Sequence, residues 1–172
     1  MKIIIRPPVL QDAAAINEIR RMDGVRENTL GLSSEMLIRS ESFIKNMDRS
    51  NHMFVAEVDD KVIGMASLMH NTHPRKHHSA DVGISVSVTY QGQGVGTKLL
   101  EALLDLADNW LMLTRVQLGV LEGNDSAKRL YERFGFVEEG IKKMNVIRDG
   151  RYVDEIMMAR IKVPDQLRDF KD

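Results

Sequence analysis

Three glycines, Gly92, Gly94 and Gly96, fall within five residues of the run VTYQGQGVGTK (88–98), and an apolar-striped segment comes directly after. Glycine is among the poorest helix formers, so its density at a helix start reflects a demand on the backbone. The first turn of a helix leaves N–H groups unpaired, and their partial positive charge attracts anions. With no Cβ atoms in the way, a phosphate approaches that main chain closely. The chemistry offered is diphosphate binding, although a tight strand-to-helix turn without a ligand has the same composition. Two nucleotide motifs fit it poorly. A P-loop requires Gly-Lys-Ser/Thr, whereas Gly96 is followed by Thr97 and then Lys98. The dinucleotide fingerprint places its third glycine where Thr97 stands, which leaves Glu122 an incidental match to its acidic partner.

Around this turn the hydrophobic period switches repeatedly. A strand over 2–6 ends at Pro7-Pro8. A helix carries Leu10, Ala14, Ile16, Ile19 and Met22, and a second, opened by a Ser cap signal at 33–34, carries Met36, Leu37, Phe43, Ile44 and Met47. Two β-branched runs joined by Asp59-Asp60 read as a hairpin. The strand 80–88 alternates, with Val82, Ile84, Val86 and Val88 on one side and Asp81, Gly83, Ser85 and Ser87 on the other. The helix 95–113 places Leu99, Leu103, Leu106, Trp110 and Leu113 on its core face and Lys98, Glu101, Asp105, Asp108 and Met112 on its outer face. A strand over 116–121, a helix over 126–134 stopped by Gly135, and a long hairpin around Asp149-Gly150 complete the chain. The order β-α-α-β-β-β-α-β-α-β-β predicts an α+β (mixed α/β) fold with one strand–helix–strand crossover.

At 172 residues the chain is long enough for one well-cored domain, expected to span 1–172. A net charge of −1 argues against a nucleic-acid partner, and no apolar run reaches membrane-spanning length. The apolar stretch at the N-terminus is too short for a signal peptide, so a cytoplasmic location is expected. Without cysteine there are no disulfides, thiolate metal sites or cysteine nucleophiles. The loop HNTHPRKHH (70–78) brings His70, His73, His77 and His78 close in sequence. It lacks the rigid spacing and carboxylate shell of a metal centre, so no metal is expected and a solvated loop or dimer contact is the better reading.

The run Gln91-Gly92-Gln93-Gly94-Val95-Gly96 resembles the Q/R-x-x-G-x-G/A acyl-CoA pyrophosphate loop of the GNAT N-acetyltransferase superfamily. The segment NDSAKRLYERFGFVEEG resembles that superfamily's N-x-x-A-x-x-L-Y-x-x-x-G-F motif at Asn124, Ala127, Leu130, Tyr131, Gly135 and Phe136. Two motifs in the right order with a strand between them are far more specific than either alone. The resemblance implies a mostly antiparallel twisted sheet, about four helices, and a fourth strand splayed from the fifth to admit the pantetheine arm. It implies acetyl-CoA as co-substrate, held by main-chain groups at Val86 and Val88 and by the amides of Gln91, Gly92, Gln93, Gly94, Val95, Gly96 and Thr97. Asn124, Ala127 and Tyr131 would line the same cofactor. An N–H near Val86 would polarise the thioester carbonyl. Tyr131, protonated at neutral pH, would give its proton to the departing thiolate. In this family a glutamate on the fourth strand often serves as base; Asp81 is the nearby equivalent, with a shorter side chain, and Glu27 is a second candidate.

By the same resemblance the amine acceptor enters beside the first two helices, where Arg26, Glu27 and Asn28 offer polar contacts. A pocket with both charges suits a zwitterion, whereas a polyamine reader would carry several carboxylates. The expected activity is acetyl transfer to the primary amine of an amino-acid-like small molecule or a peptide N-terminus, by direct attack in a ternary complex and without a metal. The alternative is a non-catalytic acyl-CoA sensor on the same scaffold. A homodimer is expected from the edge left by the C-terminal strands.

Overall fold

The structure, a computed structural model, describes residues 1–163 and 165; the rest of the expected domain span lies outside the described residues. A seven-stranded sheet forms with the spatial order β1-β2-β3-β4-β5-β7-β6. Its strands are β1 (Ile4–Arg6), β2 (Asn51–Val58), β3 (Lys61–His70), β4 (Ser79–Val86), β5 (Arg115–Leu121), β6 (Val137–Arg148) and β7 (Arg151–Ile161). Helices α1 (Ala13–Arg21), α2 (Leu37–Lys45), α3 (Val95–Asp105) and α4 (Asp125–Arg133) are interleaved as the sequence predicts. Both hairpin turns place two successive residues at positive φ: Asp59 and Asp60 at +48° and +61°, and Asp149 and Gly150 at +49° and +73°. This is the primed-turn geometry whose twist matches that of the flanking strands.

All neighbouring strands run antiparallel except β4 and β5. These two are parallel and pair over three rungs, Ser79↔Arg115, Ala80↔Val116 and Asp81↔Gln117. Beyond them β4 stays with β3 as far as Val86, and β5 stays with β7 as far as Leu121. Each strand thus keeps to its outer neighbour and a wedge opens between them. The core packs α3 against the sheet through fully buried Leu99, Leu100 and Leu103, with Ala56, Leu68 and Val116 beneath, while Val55 joins Ile16, Met53 and Met65 in a second cluster.

The structure corrects three expectations. Strand β4 ends at Val86, and Val88–Tyr90 form a tight helical turn that leaves Val88 exposed. The buried stripe of α3 is Val95, Leu99, Leu100, Leu103 and Leu104, continuing to Ala107, while Trp110 is 76% exposed. The cause is a π-type last turn, Leu106–Trp110, which adds a residue and rotates the end of the helix. Trp110 swings out and Asp108 swings in, where it accepts hydrogen bonds from Arg160 (2.8 Å, both nitrogens) and Lys162 (2.7 Å). Finally, α2 begins at Leu37 after an uncapped Met36, with no serine cap. Its Phe43 and Ile44 line a cavity, and Ile44 with Met47 also packs against the cluster of Ile16, Met53, Val55 and Met65.

Candidate active site

Two adjoining cavities occupy the wedge between β4 and β5. The smaller, 340 Å³, is bounded by the glycine turn, the start of α3 and one side of α4. The larger, 460 Å³, lies under α1 and α2. Asn28, Thr29, Ile84, Ser85, Asn124, Ala127 and Tyr131 line both, so a ligand in one reaches the other past Tyr131.

The three glycines do different jobs. Gly92 (φ +71°) and Gly94 (φ +84°) take left-handed conformations, and a Cβ at either would meet nothing within 4 Å. Their side of the turn is open to an approaching group. A Cβ at Gly96 would stand 3.2 Å from Leu130 Cδ2, so this glycine lets α3 and α4 pack closely. The side chains of Gln91 and Gln93 turn back and donate to the carbonyls of Val86 (3.0 Å) and Thr89 (2.7 Å). They brace the loop while the N–H groups at the start of α3 stay directed outward. Thr97 Oγ1 accepts from Arg133 Nη2 at 3.4 Å, and Arg133 is the cation among the residues lining the smaller cavity. Open main-chain donors, a helix N-terminus and one guanidinium together fit a diphosphate. The unpaired edge of β4 beyond Asp81 fits an extended arm.

Tyr131 packs its ring against Phe136 with centroids 5.6 Å apart and is 6% exposed. Its hydroxyl has no hydrogen-bond partner among the described residues, and the residue lines both cavities. Burial pushes the phenol up to about 12, so the group is protonated throughout the neutral range. Asn124 caps α4 by accepting from Ala127 N–H at 3.3 Å, and the residue lines both cavities.

Other residues singled out in the sequence sit elsewhere. Asp81 occupies the last paired rung, where its Oδ1 accepts from Gln117 Nε2 at 3.0 Å, and neither cavity includes it. Arg26 and Glu27 pair with each other at 3.2 Å. Arg26 also pairs with Asp23, Glu27 accepts from Gly24 N–H, and both residues line a separate depression beside Ile147 and Arg148. Of the three acceptor candidates the wedge receives Asn28 alone. The histidine loop is tied internally, His70 to the His77 carbonyl and His77 to the Pro74 carbonyl. Among the described residues no three metal-ligating side chains converge.

Sequence reasoning missed most of the larger cavity's wall. Glu35, almost fully buried, holds Arg20 (3.0 Å) and Arg39 (3.1 Å) and ties α1 to α2. Met53, Met65 and Met69 supply a deformable apolar floor, and Glu155 reaches in from β7. None of these lies in a local motif. The weak signal that could have found them is the run of methionines on two predicted adjacent strands.

A model of the Acetyltransferase (GNAT) family matches residues 17–136. The L-amino acid N-acetyltransferase AaaT of Escherichia coli (strain K12) is 32% identical over 161 residues, covering 94% of this chain and 99% of that protein. The spermidine N(1)-acetyltransferase of the same organism is 31% identical over 65% of this chain and 59% of its own length. Among solved structures, the Vibrio cholerae spermidine N-acetyltransferase in complex with CoA and spermine superposes with a TM-score of 0.81 at 27% identity, covering 92% of this chain and 95% of that one.

Proposed function

This chain belongs to the GNAT family of acetyltransferases, and from that premise we propose that it acetylates the primary amine of an amino-acid-like small molecule or a peptide N-terminus. Membership of the family makes it an acetyl-CoA-dependent acyltransferase. The finer reading is supported above all by one observation: the free hydroxyl of Tyr131 at the junction of an anion-ready cavity and an apolar one.

Acetyl-CoA supplies an acetyl group activated as a thioester. The amides from Gln91 to Thr97, with Arg133, would hold its diphosphate, and main-chain groups of β4 at Val86 would meet the arm. The carbonyl of Val86 is covered by Gln91 Nε2, so this side chain is expected to swing aside on binding. Val88, outside the strand and lining neither cavity, does not take the arm-pairing role. Tyr131 keeps a proton at its Oη for the leaving sulfur. The burial that raises the phenol acts in the same sense on a thiolate in the same cavity, so the two acids shift together.

The larger cavity suits a zwitterion bearing an apolar side chain. Two arginines and two glutamates share its wall with methionine, isoleucine and phenylalanine. A polyamine would call for a net negative wall, and the AaaT relative carries the name of an amino-acid enzyme. Tyr131 also weighs against a pure acyl-CoA sensor, which has no use for a proton donor there. The reading includes a cytoplasmic homodimer, for which the almost wholly exposed edge strand β6 offers a surface.

Thiol release from acetyl-CoA with L-leucine, trialanine and spermidine tests the proposal. Turnover is expected with leucine or trialanine above spermidine. No turnover with any of them, alongside intact acetyl-CoA binding, would favour the sensor.

A further inference from the structure

Glu155 lies in the middle of β7, paired with Leu121 of β5 on one side and Lys142 of β6 on the other. Its side chain folds across β5 over Gly119. A Cβ built at Gly119 would stand 2.6 Å from the Glu155 carboxyl carbon and 2.9 Å from its Cγ. Any side chain at 119 would therefore evict the carboxylate from its seat. Gly119 has no positive φ, so the missing Cβ serves space and not backbone conformation.

The far strand completes the seat. The register of β6 against β7 slips between Lys142 and Val146, with Met144 at φ +51°. Such a bulge re-aims side chains, and here it sends Asn145 back to donate to Glu155 Oε2 at 2.7 Å. Lys142 Nζ stands 3.7 Å from the same oxygen. The other oxygen, Oε1, receives no hydrogen bond among the described residues, and Glu155 lines the larger cavity with Gly119. The remaining charged and titratable groups of that wall are Tyr131, Arg20, Glu35 and Arg39, and Glu35 is already matched by the two arginines. A carboxylate 17% exposed, with one oxygen tied and the other bare toward a cavity, is arranged to receive a cationic N–H donor.

We propose that Glu155 receives the acceptor's ammonium group and takes its first proton, directly or through one water. This rests on the acetyl-transfer reading and replaces Asp81 and Glu27 as the base. The first nitrogen proton passes to Glu155 Oε1 and then to solvent. The N–C bond forms and the C–S bond breaks, the sulfur takes the Tyr131 proton, and the second nitrogen proton restores Tyr131. One proton is released per acetyl group transferred.

The test compares wild type, Glu155→Gln and Gly119→Ala, using whichever of L-leucine, trialanine and spermidine the wild type acetylates fastest. Glu155→Gln is expected to lower kcat/KM for the amine about a hundredfold at neutral pH. Its log kcat/KM should rise by one per pH unit, tracking the free amine, where the wild type is flat. Gly119→Ala keeps the carboxylate but displaces it, and should lose about tenfold by the same mechanism. Calorimetry should show weaker amine binding in both variants, with acetyl-CoA affinity within twofold of wild type confirming the fold. A flat pH profile in Glu155→Gln, or wild-type kinetics in Gly119→Ala, would overturn the assignment. A wild type that binds acetyl-CoA but acetylates none of the three amines would bring down the acetyl-transfer reading itself, and this inference with it.

Discussion

Gly92, Gly94 and Thr97 line the smaller cavity from one short stretch of chain, whereas Arg20, Met65 and Glu155 line the larger from three elements far apart in the sequence. The proposed anion side of the wedge is specified by local conformation: left-handed glycines, a helix start and two glutamines that brace the turn. The proposed acceptor side is specified by packing across α1, α2, β3 and β7. A main-chain site tolerates almost any side-chain change that preserves φ, while a side-chain site changes with each residue on its wall. This explains how one scaffold can keep a single acyl donor and vary its acceptor.

The sharpest way to probe that contrast is at the junction. Tyr131→Phe removes only the hydroxyl and should lower kcat about a thousandfold while leaving acetyl-CoA affinity within threefold, read by thiol release and calorimetry. Equal losses in affinity and rate would make the phenol part of the binding surface instead. Next in size is the clamp at the far end of α3. Asp108→Asn breaks a largely buried ion pair and should cost about 3 kcal/mol in urea denaturation without altering the glycine turn at the near end.

The same cluster sets a pH dependence. Burial pushes the Asp108 carboxyl up, but hydrogen bonds from Arg160 and Lys162 outweigh it and hold it below its ordinary 3.8. Its stabilisation is therefore complete above the unfolded value near 4 and is lost as pH falls through the lower folded value. The wild type should lose stability below about pH 4 more steeply than Asp108→Asn, measured by denaturation at stepped pH.

Smaller effects divide the two sides further. Gly94→Ala meets open space but must hold φ at +84°, so acetyl-CoA affinity should fall about tenfold in calorimetry with the acceptor KM unchanged. Arg26→Ala and Glu27→Gln should leave the acceptor KM within about twofold, because both residues line the neighbouring depression and already have partners. A large KM change there would move the acceptor out of the larger cavity.

The sequence alone determined the strand and helix order, both hairpin turns, the glycine loop and the place of Tyr131 on α4, because each depends on residues within about a dozen positions of one another. It misjudged the end of α3, where a wider turn exchanges Trp110 for Asp108, since no local pattern encodes a partner such as Arg160 on β7. It also assigned Arg26, Glu27 and Asp81 to a site whose cavities exclude them. Only the tertiary structure decided the wall of the larger cavity: the opening of β4 from β5, the arginines claimed by Glu35, and the seat of Glu155 over Gly119. The reason is that a cavity is defined by the atoms missing between distant segments, and a linear pattern records only the residues that are present.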